Sequence, residues 1–260
     1  MKPTREQAKQ LLLEYTDSQA LIRHALQVEA AMLHFADYFG AEDREKWGVI
    51  GLCHDLDYDR YPDQHCAVTK QILEKEGWDE TYIRAIMSHG YGMVTDVKPE
   101  TTLEKTLYAV DELTGIINAA CLLRPSKSVL DLTVKSLTKK FKDKHFAAGC
   151  NRDVITQGCE MLGMERQEFF AETIKGLQER AIAYAQKSGM HRFFVRMQWR
   201  VLTFARLCDT LWLIKKAMPR RRISVTEGTE SRRWCKPVRT LRGSAPEQQV
   251  KSLAGTPDTA

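Results

Sequence analysis

Apolar residues recur along the first 185 positions at spacings of three and four, and that rhythm is what most limits the fold. Leu21, Ala25, Val28, Met32 and Phe35 form one such stripe. A stripe of this period lies along one side of a helix and must be buried against a neighbour. Thr16, Asp17 and Ser18 precede it as N-cap candidates, and Gly40 closes it. Further helices are expected at about 43–54, 65–76, 79–88, 103–122, 128–142, 151–162 and 165–186. Gly77 separates the third from the fourth, Gly90-Tyr91-Gly92 breaks the fourth, and Arg124-Pro125 ends the long one. The segment Asp57 to Gln64 is polar and aromatic and reads as a loop. Alternating strand patterns are absent, so the class is all-α.

Charge divides the chain in two. The 260 residues carry a formal +5. Residues 1–190 hold 24 Lys/Arg against 29 Asp/Glu, while residues 191–260 hold 15 against 5. The basicity therefore belongs to the C-terminal region, and nucleic acid is not an expected partner of the helical part. The expected organisation is a helical domain over 1–189 and a basic appendage over 190–260. Residues 193–214 mix apolar residues with Arg. They read either as a basic amphipathic helix for a membrane surface or partner, or as an extension without selected structure. Disorder is expected beyond 218. Seven cysteines without CxxC spacing, no signal peptide and no transmembrane run point to a reduced, cytoplasmic protein. Cys53 and Cys121 lie on apolar helix faces and read as structural.

Chemistry concentrates around Leu52-Cys53-His54-Asp55. The His-Asp pair stands at the end of an apolar helix. His24 lies on the buried side of an earlier helix. Asp111 sits inside the apolar run Leu107 to Leu113, where a lone carboxylate is expensive to bury. A shared cation satisfies His24, His54, Asp55 and Asp111 together. His65 starts the next expected helix and His89 ends the one after. For either, a satisfied buried histidine is the structural alternative. His34, His145 and His191 fit no site.

This ordered set on an all-α chain resembles the HD superfamily of metal-dependent phosphohydrolases, over roughly residues 18–125. It is most similar to the six-ligand branch that includes the di-iron diadenosine tetraphosphate hydrolases. The resemblance implies that His24, His54, Asp55 and Asp111 hold one divalent metal (Fe, Mn, Co or Zn) and that His65 and His89 hold a second. Asp55 would bridge them and act at the catalytic centre, where a metal-bound hydroxide attacks phosphorus. Each ligating His then needs an acceptor on its other nitrogen, and Asp57, Asp59 and Glu112 are candidates.

Many HDIG-type members carry His-Asp-Ile-Gly-Lys. Here the run is His54-Asp55-Leu56-Asp57-Tyr58, so the Lys position is a Tyr and the cyclic-dinucleotide branch is disfavoured. Tyr58 to Pro62 reads as a lid, with Arg60 as a phosphate contact. Arg124 and Lys127 are further substrate-binding candidates, and Ser126 or Ser128 a helix cap at an anion site. The lysines from 139 to 144 read equally well as a solvated helix end. The expected substrate is a small phosphate ester or anhydride, of a nucleotide or dinucleotide polyphosphate. An HD-type di-iron oxygenase and a non-catalytic nucleotide-binding module stay open.

Overall fold

A computed structural model describes residues 1–187, and the expectations for the basic appendage lie outside them. Nine α-helices follow one another: α1 (Arg5–Tyr15), α2 (Gln19–Tyr38), α3 (Arg44–Cys53), α4 (Ala67–Lys75), α5 (Glu80–Met87), α6 (Thr102–Leu122), α7 (Val134–Lys142), α8 (Arg152–Leu162) and α9 (Arg166–Lys187). Single 3-10 turns occupy Pro62–Gln64 and Ser88–Gly90. Among the described residues no strand forms, and one isolated bridge joins Tyr91 to Thr95. The all-α expectation holds. No helix among them is long and apolar enough to cross a membrane.

The expected stripe builds the centre of the fold. Val28, Met32 and Phe35 of α2 are fully buried. Their helix packs on α3, α6 and α9. Phe35 stacks on Phe169 of α9 with ring centroids 4.9 Å apart, an arrangement worth about 0.5–1.5 kcal/mol beyond area burial. Helix α6 packs on α8, where Gly158 permits close approach. A Cβ at 158 would lie 2.5 Å from the Ala109 Cβ. Gly40, at φ +63°, ends α2 as expected.

Three local expectations need correction. Helix α1 was not anticipated, because its run is mostly polar. It buries only Ala8, Leu11 and Leu12, against α3, and a Thr4–Gln7 capping box starts it. Helix α7 begins at Val134 with Thr133 as its cap, not near 128. Ser126 and Ser128 instead stabilise the preceding turn, through Asp131 and the Leu130 amide. His65 does not start α4. It precedes Cys66, which takes the N-cap position at φ +68°.

Candidate metal centre

Four helix ends and one helix middle deliver the polar groups. Helix α2 presents His24 from its second turn, and α6 presents Asp111 from its middle. His54 is the C-cap of α3, with Asp55 next. His65 precedes α4, and His89 follows α5. His24, His54, Asp55, His89 and Asp111 are buried. Their donor atoms form two groups: His24, His54, Asp55 and Asp111, and His65, Cys66 and His89.

Asp55 faces both groups. Its Oδ2 lies 3.7 Å from His24 Nε2 and 3.4 Å from His54 Nε2. Its Oδ1 lies 3.5 Å from the Nε2 atoms of His65 and His89. Asp111 Oδ1 lies 2.9 Å from His24 Nε2 and 3.4 Å from His54 Nε2.

All four imidazoles turn Nε2 inward because Nδ1 is held from behind. His24 Nδ1 meets the Thr114 hydroxyl oxygen at 3.3 Å, and that hydroxyl donates to the Asp111 carbonyl. His54 Nδ1 donates to the Gly51 carbonyl at 2.9 Å. His89 Nδ1 donates to the Ile86 carbonyl. His65 Nδ1 donates to Asp57 Oδ1 at 2.8 Å. A donor on Nδ1 leaves Nε2 with a free lone pair, the tautomer a metal requires. The Gly51 and Ile86 carbonyls belong to last helical turns, where carbonyls lack intrahelical partners. The α3 and α5 termini therefore orient two ligands and present the negative ends of their dipoles to the same centre.

Two observations test whether these residues fit a cation. The His54 Nε2 atom is buried without a hydrogen-bond partner, which is costly unless something else satisfies it. The electrostatics also favour positive charge. Burial opposes charge on His54, but Asp55 and Asp111 outweigh it and lift the pKa to about 9. Burial is likewise outweighed at His65, chiefly by Asp57, and its pKa rises to about 10. Burial pushes the Asp55 carboxyl up, yet the His54 charge and its neighbours hold it well below the usual range. Nitrogen and carboxylate donors in this number suit a divalent transition metal.

Residues 21–116 match the HD domain family model. The HD match begins in α2, ends in α6 and contains all six expected ligands. Members of the HD family are generally metal-dependent phosphohydrolases. No curated protein and no solved structure matches the chain.

Of the candidates on the rear of the ligands, Asp57 supports His65. Asp59 instead accepts from the Asp17 and Ser18 amides at 2.8 and 2.9 Å, capping α2 from outside. That contact anchors the Tyr58–Pro62 segment expected as a lid. Glu112 accepts from the Asn151 amide. Arg60 pairs with Asp17 at 3.3 Å, and both are exposed. Arg124 and Lys127 are not brought to the centre. They lie past the end of α6, and Leu123 alone is already about 18 Å along the helix axis from Asp111. Arg124 holds Asp131, and Lys127 the Leu122 carbonyl.

Sequence reasoning missed Cys66. Its Sγ lies 3.7 Å from His65 Nε2 and 3.9 Å from His89 Nε2. Burial raises its pKa, but the charges of His89 and His65 outweigh this and bring it to about 7. The available signal was adjacency to His65. Tyr58, at the usual Lys position, sets its ring edge-on to His65 with centroids 5.1 Å apart.

Proposed function

We propose that this chain is a two-metal phosphohydrolase of the six-ligand HD type. In this reading His24, His54, Asp55 Oδ2 and Asp111 hold one divalent transition-metal ion, and His65, His89 and Asp55 Oδ1 hold the second. The division of the Asp55 carboxylate between two sets of imidazoles carries the reading. When bound, a metal pair acidifies water and neutralises phosphoryl charge. The chain's own work is to fix four imidazole tautomers through Nδ1 and to keep Asp55 ionised between them. Asp111, buried at mid-helix, prevents His24 and His54 from turning away.

The substrate is a small phosphate ester or anhydride, with a nucleotide or dinucleotide polyphosphate as the favoured class. Arg60 is the nearest candidate in sequence for a phosphate contact. Its exposed pair with Asp17 is worth only about 0–1 kcal/mol, so a phosphate can replace that partner. Arg124 and Lys127 staple a loop and are left out of the proposal.

The test is metal analysis of the full chain, followed by phosphate release from mono-, di- and dinucleoside polyphosphates under Mn and Fe, with and without oxygen. Oxygen-independent hydrolysis is expected. Asp55→Asn should lose both bound metal and turnover. A loaded protein that is inactive across the panel, or that needs oxygen, refutes the reading.

A further inference from the structure

Cys66 is fully buried in the hydrophobic core, yet its Sγ faces the Nε2 atoms of His65 and His89. Consecutive side chains point about 100° apart on a helix and opposite ways on a strand, yet His65 and Cys66 converge on one spot. The backbone at Cys66 achieves this at φ +68° and ψ −41°, a conformation L residues seldom adopt. Gly90, directly after His89, keeps space for the thiol. A Cβ at 90 would lie 2.9 Å from Cys66 Sγ.

Five of the six edges of a four-donor polyhedron can be compared with ideal lengths. With metal–nitrogen and metal–oxygen bonds near 2.1 Å and metal–sulfur near 2.3 Å, tetrahedral edges are about 3.4 Å without sulfur and about 3.6 Å with it. The two His65 and His89 Nε2 atoms are 3.1 Å apart. Each lies 3.5 Å from Asp55 Oδ1. Cys66 Sγ is 3.7 and 3.9 Å from them. Five edges thus fall within about 0.3 Å of the ideal values.

We propose that Cys66 is the fourth donor of the second metal position and makes it select a thiophilic ion such as zinc over magnesium or manganese. This rests on the two-metal reading above. Soft thiolate donors favour zinc and the later divalent metals, whereas an imidazole–carboxylate set alone also accepts manganese. The two positions would then differ in preference, the first harder and the second softer.

Cobalt titration of the metal-free full chain without oxygen tests this. A thiolate-to-cobalt charge-transfer band should grow in the near ultraviolet with one of two binding events. Cys66→Ser should abolish that band and weaken the corresponding event at least about tenfold. Zinc-edge X-ray absorption of the unsubstituted protein should show one sulfur at about 2.3 Å, which decides the matter should the variant not fold. Two cobalt ions without the band, a band undiminished in Cys66→Ser, or a zinc shell without sulfur overturns the Cys66 assignment and leaves the two-metal reading standing. Failure to bind cobalt at either position overturns both.

Discussion

Replacing Asp57 by Asn changes one charge and almost no volume, at a position fully shielded from solvent. The carboxylate has two separate duties. Its Oδ1 accepts from His65 Nδ1 at 2.8 Å, and its Oδ2 accepts from the Thr69 amide at 2.8 Å. The second bond caps α4, whose own N-cap residue, Cys66, makes no side-chain cap bond. Asn has a single acceptor oxygen. Its amide must face either the Thr69 N–H or His65 Nδ1. In the first case a buried donor is orphaned. In the second, His65 turns to the other tautomer and carries its proton on Nε2, where the metal should sit. Losing a hydrogen bond to a charged acceptor costs about 1.5–3 kcal/mol. For a domain of this size that lowers the thermal midpoint of the metal-free protein by roughly 3–12 °C. Supporting acceptors of ligating histidines are worth about 10–100-fold in metal affinity. Calorimetric titration with zinc should therefore show the second event weakened by that factor and the first nearly unchanged. A folded Asp57→Asn protein with both affinities intact would refute the claim that Asp57 sets the His65 tautomer.

The remaining predictions concern linkage, packing and boundary. In the metal-free protein His54 and His65 titrate near 9 and 10, above the ordinary 6.5. The stability they contribute is full below pH 6.5 and is lost as pH rises through about 9–10. Denaturation midpoints of metal-free protein should fall between pH 7 and 10, and metal uptake at pH 7 should release protons. Midpoints that rise across that range contradict the assignment. Gly158→Ala places a Cβ against Ala109 and should destabilise the α6–α8 contact by about 1–3 kcal/mol, with Ala109→Gly restoring part of the loss. Unchanged denaturant midpoints in Gly158→Ala would show that the helices separate freely. A chain ended at residue 189 should keep the metal content and turnover of the full chain, and aggregation or loss of metal in that fragment would place the C-terminal region within the domain.

The site was legible where chemistry left a mark on an otherwise apolar pattern. Asp111 inside a buried helix and His-Asp at a helix end are conspicuous because their neighbours are Leu, Ala and Val. Helix α1 carried a readable capping box, Thr4 and Gln7, but its three buried residues made too thin a stripe to register. The start of α7 was misplaced because Ser126 and Ser128 look like caps, and only the Asp131 contacts show that they close a turn. Cys66 was only partly legible. Its adjacency to His65 and the glycine at 90 stand in the sequence, but the positive φ that turns its thiol toward His65 and His89 does not. The rear support of the ligands was half legible. Asp57 is a named side chain, whereas the Gly51 and Ile86 carbonyls are backbone atoms. They act at this centre only because His54 and His89 each stand three residues past them at the end of a helix. That spacing is a feature a sequence can show. A histidine just beyond a helix, followed by a turn, finds a last-turn carbonyl behind it and a negative dipole end beside it. Two such helix ends and the Asp55 carboxylate bring negative charge to one spot, which protons on the imidazoles balance in the metal-free protein and a bound cation would balance in their place.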